Sequence, residues 1–146
     1  MPVIPTRDFG PLDYDPSTEL HFPQGLPGFE TQTRFILIEK AALAPLMFLQ
    51  SAESEALCFL TIPVQKIDPG YQIGIIEEDQ RTLALEGTDA REILFLAILS
   101  AHANTPATVN LLAPVVINLK MKIGVQAVRP DSRYSHQHPV PEVVSC

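Results

Sequence analysis

The feature that most constrains this chain is a strict alternation of residues, which runs from Val109 to Ala127 with every odd position apolar. Successive side chains of a β-strand point to opposite faces, so this period of two predicts extended structure with one buried face. The alternation is longer than a normal strand. We therefore expect a hairpin-like pair, roughly 109–118 and 124–129. Pro114 has no N–H to donate, which places it at a sheet edge or a bulge.

Two amides lie in the same stretch, at Asn110 and Asn118. Both take even positions, on the face opposite the apolar residues. Asn side chains often accept hydrogen bonds from nearby backbone N–H groups and so cap turns. Amides that point away from a core are also free to contact a partner protein. We favour capping and keep partner contact as the alternative.

Short apolar runs separated by Pro and Gly recur through the rest of the chain, at a spacing of roughly 10–15 residues. This rhythm, with fourteen prolines as turn signals, is typical of an all-β sandwich or barrel. The runs that we expect to be strands are 34–39, 46–51, 57–62 and 71–75.

One segment favours a helix. Glu77, Glu78 and Asp79 are acidic residues that complement the positive end of a helix dipole, and Gly87 suits the position after its end. We expect a short helix over about 78–83.

The apolar run 92–100 is open to two interpretations. Asp89, three residues before Glu92, imitates a capping box, which favours a helix. A short apolar run bounded by turn signals equally fits a buried strand. Because the neighbouring runs are predicted strands, we favour a strand.

The length of 146 residues is that of a single domain, which can bury a core without a disulfide or metal. We expect 1–18 to be an N-terminal extension or first strand, 19–129 the β domain, and 130–146 a loosely held tail. No apolar run approaches the ~18 residues of a membrane span, and the N-terminus lacks a signal-peptide pattern. Two cysteines without an export signal are expected to be reduced thiols in a cytoplasm.

The net charge of −7 is unevenly distributed along the chain. Residues 1–104 carry six Lys/Arg against fifteen Asp/Glu, a net of −9, whereas residues 105–146 carry four against two, a net of +2. An acidic body repels phosphate, so we expect no direct binding of nucleic acid. It suits a basic protein partner, although ordinary solubilising charge explains it equally well.

No arrangement of residues points to catalysis. Cys58 lies in an apolar run without the basic neighbours of a reactive thiol. His136 and His138, with Cys146, make only a crude metal site, because a structural site usually has four well-spaced ligands. The acidic group Glu77–Asp79 is more typical of a solvated helix start. We therefore expect a protein that is not an enzyme and has no cofactor or metal.

Several motifs in order make the chain resemble FliW, the flagellar assembly factor family of bacteria. The resemblance covers about residues 19–140 and is strong only when its motifs are taken together. The motifs are FPQGLPGFE at 22–30, FIL at 35–37, LQS at 49–51, Asp89, TVNLLAPVVIN at 108–118, GVQAV at 124–128, and Tyr134 before Pro139.

The resemblance implies a mostly β fold, a single small barrel-like domain of antiparallel strands with one short helix. FliW proteins are cytoplasmic, are not enzymes, bind the RNA-binding translational repressor CsrA, and also bind flagellin. In this way the level of flagellin controls its own translation. Carried over from the motifs, the candidate partner-binding residues are Gln50, Ser51, Asn110, Pro114, Asn118 and Gln126.

The alternative is a barrel that binds a small ligand in an apolar cavity. Six phenylalanines are candidates to line it: Phe22, Phe29, Phe35, Phe48, Phe59 and Phe95. A packed core explains the same residues more simply.

Overall fold

A computed structural model describes residues 3–72, 74–101, 104–128 and 134–140. Strands dominate it, with two short α-helices and three single-turn 3-10 helices in the described ranges. The strands are β1 Val3–Thr6, β2 Gly10–Asp13, β3 Leu20–His21, β4 Arg34–Glu39, β5 Met47–Ser51, β6 Cys58–Pro63, β7 Ile93–Ser100, β8 Thr108–Val109, β9 Val115–Asn118, β10 Ile123–Gln126 and β11 His138–Pro139. The helices are α1 Val64–Ile67 and α2 Glu77–Thr82, and the 3-10 turns are Pro16–Thr18, Ala41–Leu43 and Ala90–Glu92.

Seven strands close into a barrel. Around the ring they run β3, β4, β5, β6, β7, β9 and β10, and β10 returns to β3. All pairs are antiparallel except β3–β10, where His21 lies beside Ile123 in a parallel pair. The prediction of a mostly β, barrel-like domain of antiparallel strands is confirmed, with one parallel pair that it did not include. Strands that alternate in direction close a ring only in even number, so a ring of seven must contain one parallel pair.

Apolar side chains fill the barrel interior. The fully buried residues there include Phe22, Phe35, Leu49, Leu96, Val115 and Ile117. Gly124 faces the same space, and a Cβ at this position would lie 2.4 Å from the Phe22 ring. The two rings Phe22 and Phe35 meet edge to face, with centroids 5.2 Å apart. Phe22 and Phe35, two of the six phenylalanines considered for a ligand cavity, are therefore packed core residues.

Three layers cover the outer face of the barrel. Leu83, after α2, packs on Val116 and Val125 of β9 and β10. Residues of α1 pack against β6, β7 and the 109–111 segment, where Tyr71 and Tyr134 stack with ring centroids 4.4 Å apart. The N-terminal hairpin is the third layer. Because the core lies on the inner face of β9 and Leu83 covers its outer face, both faces of β9 are buried.

The N-terminal hairpin, β1 and β2, forms a two-stranded sheet of its own. Its residues Ile4 and Tyr14 pack on Ile36 and Ile38 of β4, and a backbone bond joins Arg7 N–H to the Glu55 carbonyl at 2.9 Å. Pro5 lies directly opposite Pro11. Residues 1–18, expected to be an extension or a first strand, thus contain two strands and one 3-10 turn in their described part.

Two predictions about helices meet different outcomes. The helix expected at 78–83 is α2, Glu77–Thr82, but α1 is a second helix, so the prediction of one helix is wrong. The run 92–100 forms strand β7, as favoured, and Asp89 caps only the 3-10 turn before it by accepting a hydrogen bond from Arg91 N–H at 2.9 Å. The capping signal at Asp89 therefore applies to the 3-10 turn, and the strand signal of the apolar run applies to β7, which follows that turn.

Two predicted extended segments differ from the structure. Residues 71, 72, 74 and 75 form no strand, because Tyr71 is held against Tyr134 and the chain turns into α2. The hairpin-like pair is β9 with β10, but its first strand begins at Val115. Residues 110–114 form a turn instead, and Pro114 precedes β9, which has neighbours on both sides. Pro114 is therefore not at an edge. Residues 110–114 interrupt the pairing with β7 between Val109–Leu99 and Val115–Leu96, five residues opposite two, as the alternative of a bulge expects.

The predicted tail also contributes to the fold. Within 134–140, β11 pairs with β8, and Leu111 N–H donates to the Ser135 carbonyl at 3.0 Å. For these residues the expectation of a loosely held tail is wrong, because backbone bonds and the Tyr71–Tyr134 stack hold them to the barrel.

Candidate functional site

Most of the motif segments meet at one end of the barrel, which we name the motif end. It consists of the loops 22–33, 51–57 and 110–114 together with Gln126. Gln126 lines a shallow depression with Gln24, Pro27 and Glu30 of the first loop. Motifs that are far apart in the sequence are thus brought into one surface by the antiparallel order of the strands.

The loop 22–33 presents an aromatic side chain to solvent. Gly25 has a φ of +62°, and a Cβ there would lie 2.6 Å from the backbone of Glu30, so only glycine suits this turn. Leu26 is buried beneath the loop, whereas the Phe29 residue is 41% exposed. The Phe29 ring meets Phe59 edge to face at 5.6 Å. The loop therefore holds Phe29 outward on an aromatic base.

Internal hydrogen bonds organise the loop 51–57. Ser51 Oγ donates to Gln32 Oε1 at 2.7 Å and accepts from the N–H groups of Glu53 and Ser54, both at 3.0 Å. Gln50 Nε2 donates to the carbonyls of Ser51, Ser54 and Glu55 at 3.0–3.3 Å. Gln50 and Ser51 are buried, so the side chains of the LQS motif fix the conformation of the loop, and other residues of the loop form its exposed surface.

Asn110 and Gln126 fix the third segment of the motif end. Asn110 Oδ1 accepts from Leu112 N–H at 3.1 Å and from Ala113 N–H at 3.0 Å. Gln126 Nε2 donates to the Ala113 carbonyl at 3.0 Å. Capping by Asn110 is what the sequence favoured, while partner contact through Asn110 or Gln126, both half-buried, stays a prediction.

Asn118 lies at the opposite end of the barrel and is fully buried. Its Oδ1 accepts from the N–H groups of Lys120 and Met121, both at 3.1 Å, and its Nδ2 donates to the Leu83 carbonyl at 2.8 Å. The amide thus caps the β9–β10 turn and ties it to the end of α2. Alternation correctly put Asn118 opposite the interior, but the turn after α2 covers that side as well.

Carboxylates dominate the charge of the motif end. Its loops contain Glu30, Glu53 and Glu55 and no Lys or Arg. Glu53 Oε1 accepts from Thr33 N–H at 2.9 Å, and Glu30 Oε2 accepts from Gly28 N–H at 2.6 Å. Sequence reasoning did not select these residues or Phe29 as partner-binding. The available signal was the phenylalanine between glycine and glutamate in a proline-rich turn.

The candidates for chemistry lie apart from one another. Burial raises the pKa of the Cys58 thiol to about 11, with the charge of Asp8 as a second cause, which opposes formation of a thiolate. Burial also raises the pKa of Asp79 in α2, and Glu78 adds to this shift. In the part of the chain that the structure describes, no three His, Cys, Asp or Glu side chains are placed to hold a metal ion. Cys146, proposed with the histidines, lies outside that part.

None of the described helices has the length and apolar composition that crossing a bilayer requires.

Comparison with known proteins gives consistent results at the levels of family, sequence and structure. The model of the FliW protein family matches residues 3–140, so the match includes the N-terminal hairpin. Flagellar assembly factor FliW 2 of Desulfotalea psychrophila is 32% identical over 143 residues, 98% of this chain and 93% of that protein. Flagellar assembly factor FliW of Geotalea uraniireducens is 34% identical over 140 residues, 95% of this chain and 83% of that protein. A crystal structure of the flagellar assembly factor FliW superposes with a TM-score of 0.84 at 29% identity, covering 97% of this chain and 99% of that one.

Proposed function

This chain belongs to the FliW family, and from that membership we propose that it is a flagellar assembly factor that binds and antagonises a CsrA-type RNA-binding regulator. It also binds flagellin. Free flagellin competes with the regulator for the chain, so the regulator is released when flagellin accumulates. The observation that carries the proposal is the family match over residues 3–140, which spans the whole barrel.

The charge of the molecule supports a basic partner. Residues 1–104 carry a net charge of −9, and the loops of the motif end have carboxylates without cations. An RNA-binding protein carries a positive surface because it neutralises phosphate. Opposite surface charges accelerate encounter and select partners.

The filled barrel supports a binding protein that works through its surface. Its interior residues are packed against one another, and the Cys58 pKa of about 11 disfavours a nucleophilic thiol. Location in the cytoplasm follows from the proposed partners, since repression of translation takes place there.

The test uses the full chain with the regulator and the flagellin of the same organism. Size-exclusion chromatography and calorimetry are expected to show a complex with each at micromolar concentration, and added flagellin is expected to lower the amount of regulator bound. An unrelated acidic protein of similar charge serves as the control for non-specific attraction. If neither partner binds at micromolar concentration, the proposed function is wrong.

A further inference from the structure

We infer that the motif end is the docking surface for a basic protein surface that contains an apolar pocket, with Phe29 entering the pocket and Glu55 facing the surrounding cations. This inference rests on the proposed function and deepens it. Of the two proposed partners, it assigns the motif end to the RNA-binding regulator, because that partner is the one expected to be basic.

Phe29 has the properties of an interface anchor. The residue is 41% exposed, its ring rests on Phe59, and its N–H donates to the Leu26 carbonyl at 2.7 Å. Gln32 N–H donates to the Phe29 carbonyl at 3.0 Å. A ring that is already ordered loses little conformational freedom on binding, and aromatic residues dominate the energy of interfaces.

Two of the three carboxylates in the loops of the motif end are also fixed in position. The Glu30 carboxylate accepts a hydrogen bond from Gly28 N–H in its own loop, and the Glu53 carboxylate accepts one from Thr33 N–H in the neighbouring loop. Glu55 is exposed, and no side-chain bond to it is found within the described ranges. Loops 22–33 and 51–57 contain no Lys or Arg. The cations beside these loops, Arg7 and Arg34, are paired with Asp8 at 3.3 Å and Glu19 at 2.8 Å, so the carboxylates of the loops stay available to a positive rim.

Other exposed apolar side chains lie in different charge settings. Met121 is flanked in sequence by Lys120 and Lys122, which a basic partner would repel. Ile76, exposed before Glu77 and Glu78 of α2, is the rival surface because it also combines an apolar side chain with acid. Glu77, however, is paired with Arg81 at 2.9 Å, which places a cation beside it.

The experiment compares two matched pairs of variants of the full chain. Phe29→Ser and Glu55→Lys change the motif end, and Ile76→Ser and Glu78→Lys make the same changes at the rival surface. Calorimetry and stopped-flow association with the regulator are measured for each. We expect Phe29→Ser to raise Kd by about tenfold or more, and Glu55→Lys to slow association by several-fold at low salt. The rival variants are expected to stay within about twofold of the unmodified chain.

Folding and flagellin binding are measured on the same samples. Glu55→Lys alters an exposed side chain, so its thermal unfolding is expected to match that of the unmodified chain even if Phe29→Ser is destabilised. Flagellin binding is expected to be unchanged by both motif-end variants.

Three outcomes would overturn the inference. If the unmodified chain binds the regulator while both motif-end variants bind it equally well, docking occurs elsewhere and the proposed function still stands. If the motif-end variants lose only flagellin, the surface has been assigned to the wrong partner. If the unmodified chain binds neither protein, the inference fails together with the proposed function.

Discussion

Gly124 shows how one missing side chain permits the barrel interior to pack. Its backbone lies against the fully buried Phe22, and a Cβ at position 124 would lie only 2.4 Å from the Phe22 ring. We expect Gly124→Ala to lower the free energy of unfolding by about 1–3 kcal/mol or more, because a packed core gives way only with strain. Urea denaturation measures this change.

Gly70→Ala is the matched control for that substitution. A Cβ at Gly70 would lie 3.6 Å from the Asp68 carboxylate, which is ordinary contact. Its effect is expected to stay within about 0.5 kcal/mol, as for most surface changes. Equal effects of the two substitutions would show that the Phe22 ring moves aside without cost.

Cys58 provides a test of the surface-binding interpretation against catalysis. With its pKa at about 11 instead of 9.0, its thiolate fraction at pH 8 is lower by about a hundredfold. We expect alkylation of Cys58 in a Cys146→Ser chain to be slower than that of a free thiol by about this factor, since the thiolate is the reacting species. Mass spectrometry after timed quenching measures the rate. An alkylation rate equal to that of a free thiol would mean that the Cys58 thiol is accessible and that burial does not raise its pKa.

Asn118 shows what the residue pattern could predict and what it could not. Within β9, the alternation correctly separated Val115 and Ile117, inside the barrel, from Val116 and Asn118, outside it. It does not extend into β10, where Val125 lies outside with Val116. Whether the outer face is covered depends on α2, some 35 residues earlier, through the Nδ2 bond to the Leu83 carbonyl. A local pattern contains no information on such a distant contact.

At the scale of elements, the N-terminal hairpin is the unit most separate from the barrel. Its two strands form their own sheet, and its apolar residues rest on the outer face of β4 and β5. We expect Ile4→Ala, at a cost of about 2–5 kcal/mol, to open the hairpin without unfolding the barrel. Hydrogen exchange followed by mass spectrometry should show lost protection in β1 and β2 and retained protection in β4–β7.

Ile117→Ala is the control because it removes the same atoms from the barrel interior, where Ile117 is fully buried. It is expected to lower protection throughout the barrel. If Ile4→Ala also lowers protection everywhere, the hairpin and the barrel unfold as one cooperative unit.

Elements were predictable where local signals and tertiary packing agree. The apolar run of β7 and the acidic start of α2 are such cases. The predicted strand 71–75 is the opposite case. Its alternation suits a strand, while the Tyr71–Tyr134 contact, across about 60 residues, holds Tyr71 and Gln72 in another conformation. The parallel pair β3–β10 was also beyond local patterns, since it follows from the number of strands in the closed ring.

At the scale of the whole molecule, charge allows two routes of antagonism. The chain either covers the RNA-binding surface of the regulator or binds beside it and repels RNA. The net charge of −9 over residues 1–104 leads us to expect a contribution from repulsion. The Debye length falls from about 10 Å at 0.1 M salt to 3 Å at 1 M, so repulsion should weaken as salt rises.

RNA competition from low to high salt, with the regulator saturated by the chain at each concentration, measures this dependence. The same titration without the chain corrects for the salt dependence of RNA binding itself. A chain with Glu77, Glu78 and Glu86 changed to Gln is expected to inhibit less at low salt. Equal inhibition at every salt concentration would support direct covering of the RNA surface.

The prolines of the outer strands have a consequence for how the molecule behaves in a crowded solution. Pro5 and Pro11 face each other and cannot exchange ladder bonds, so their nitrogen atoms point outward along both free edges of the hairpin. Pro139 takes the corresponding outward position in β11, because Val140 N–H turns inward to the Ala107 carbonyl at 3.2 Å. Without these donors, a foreign strand cannot extend the sheet there. These prolines therefore disfavour edge-to-edge pairing with another molecule at these three strands.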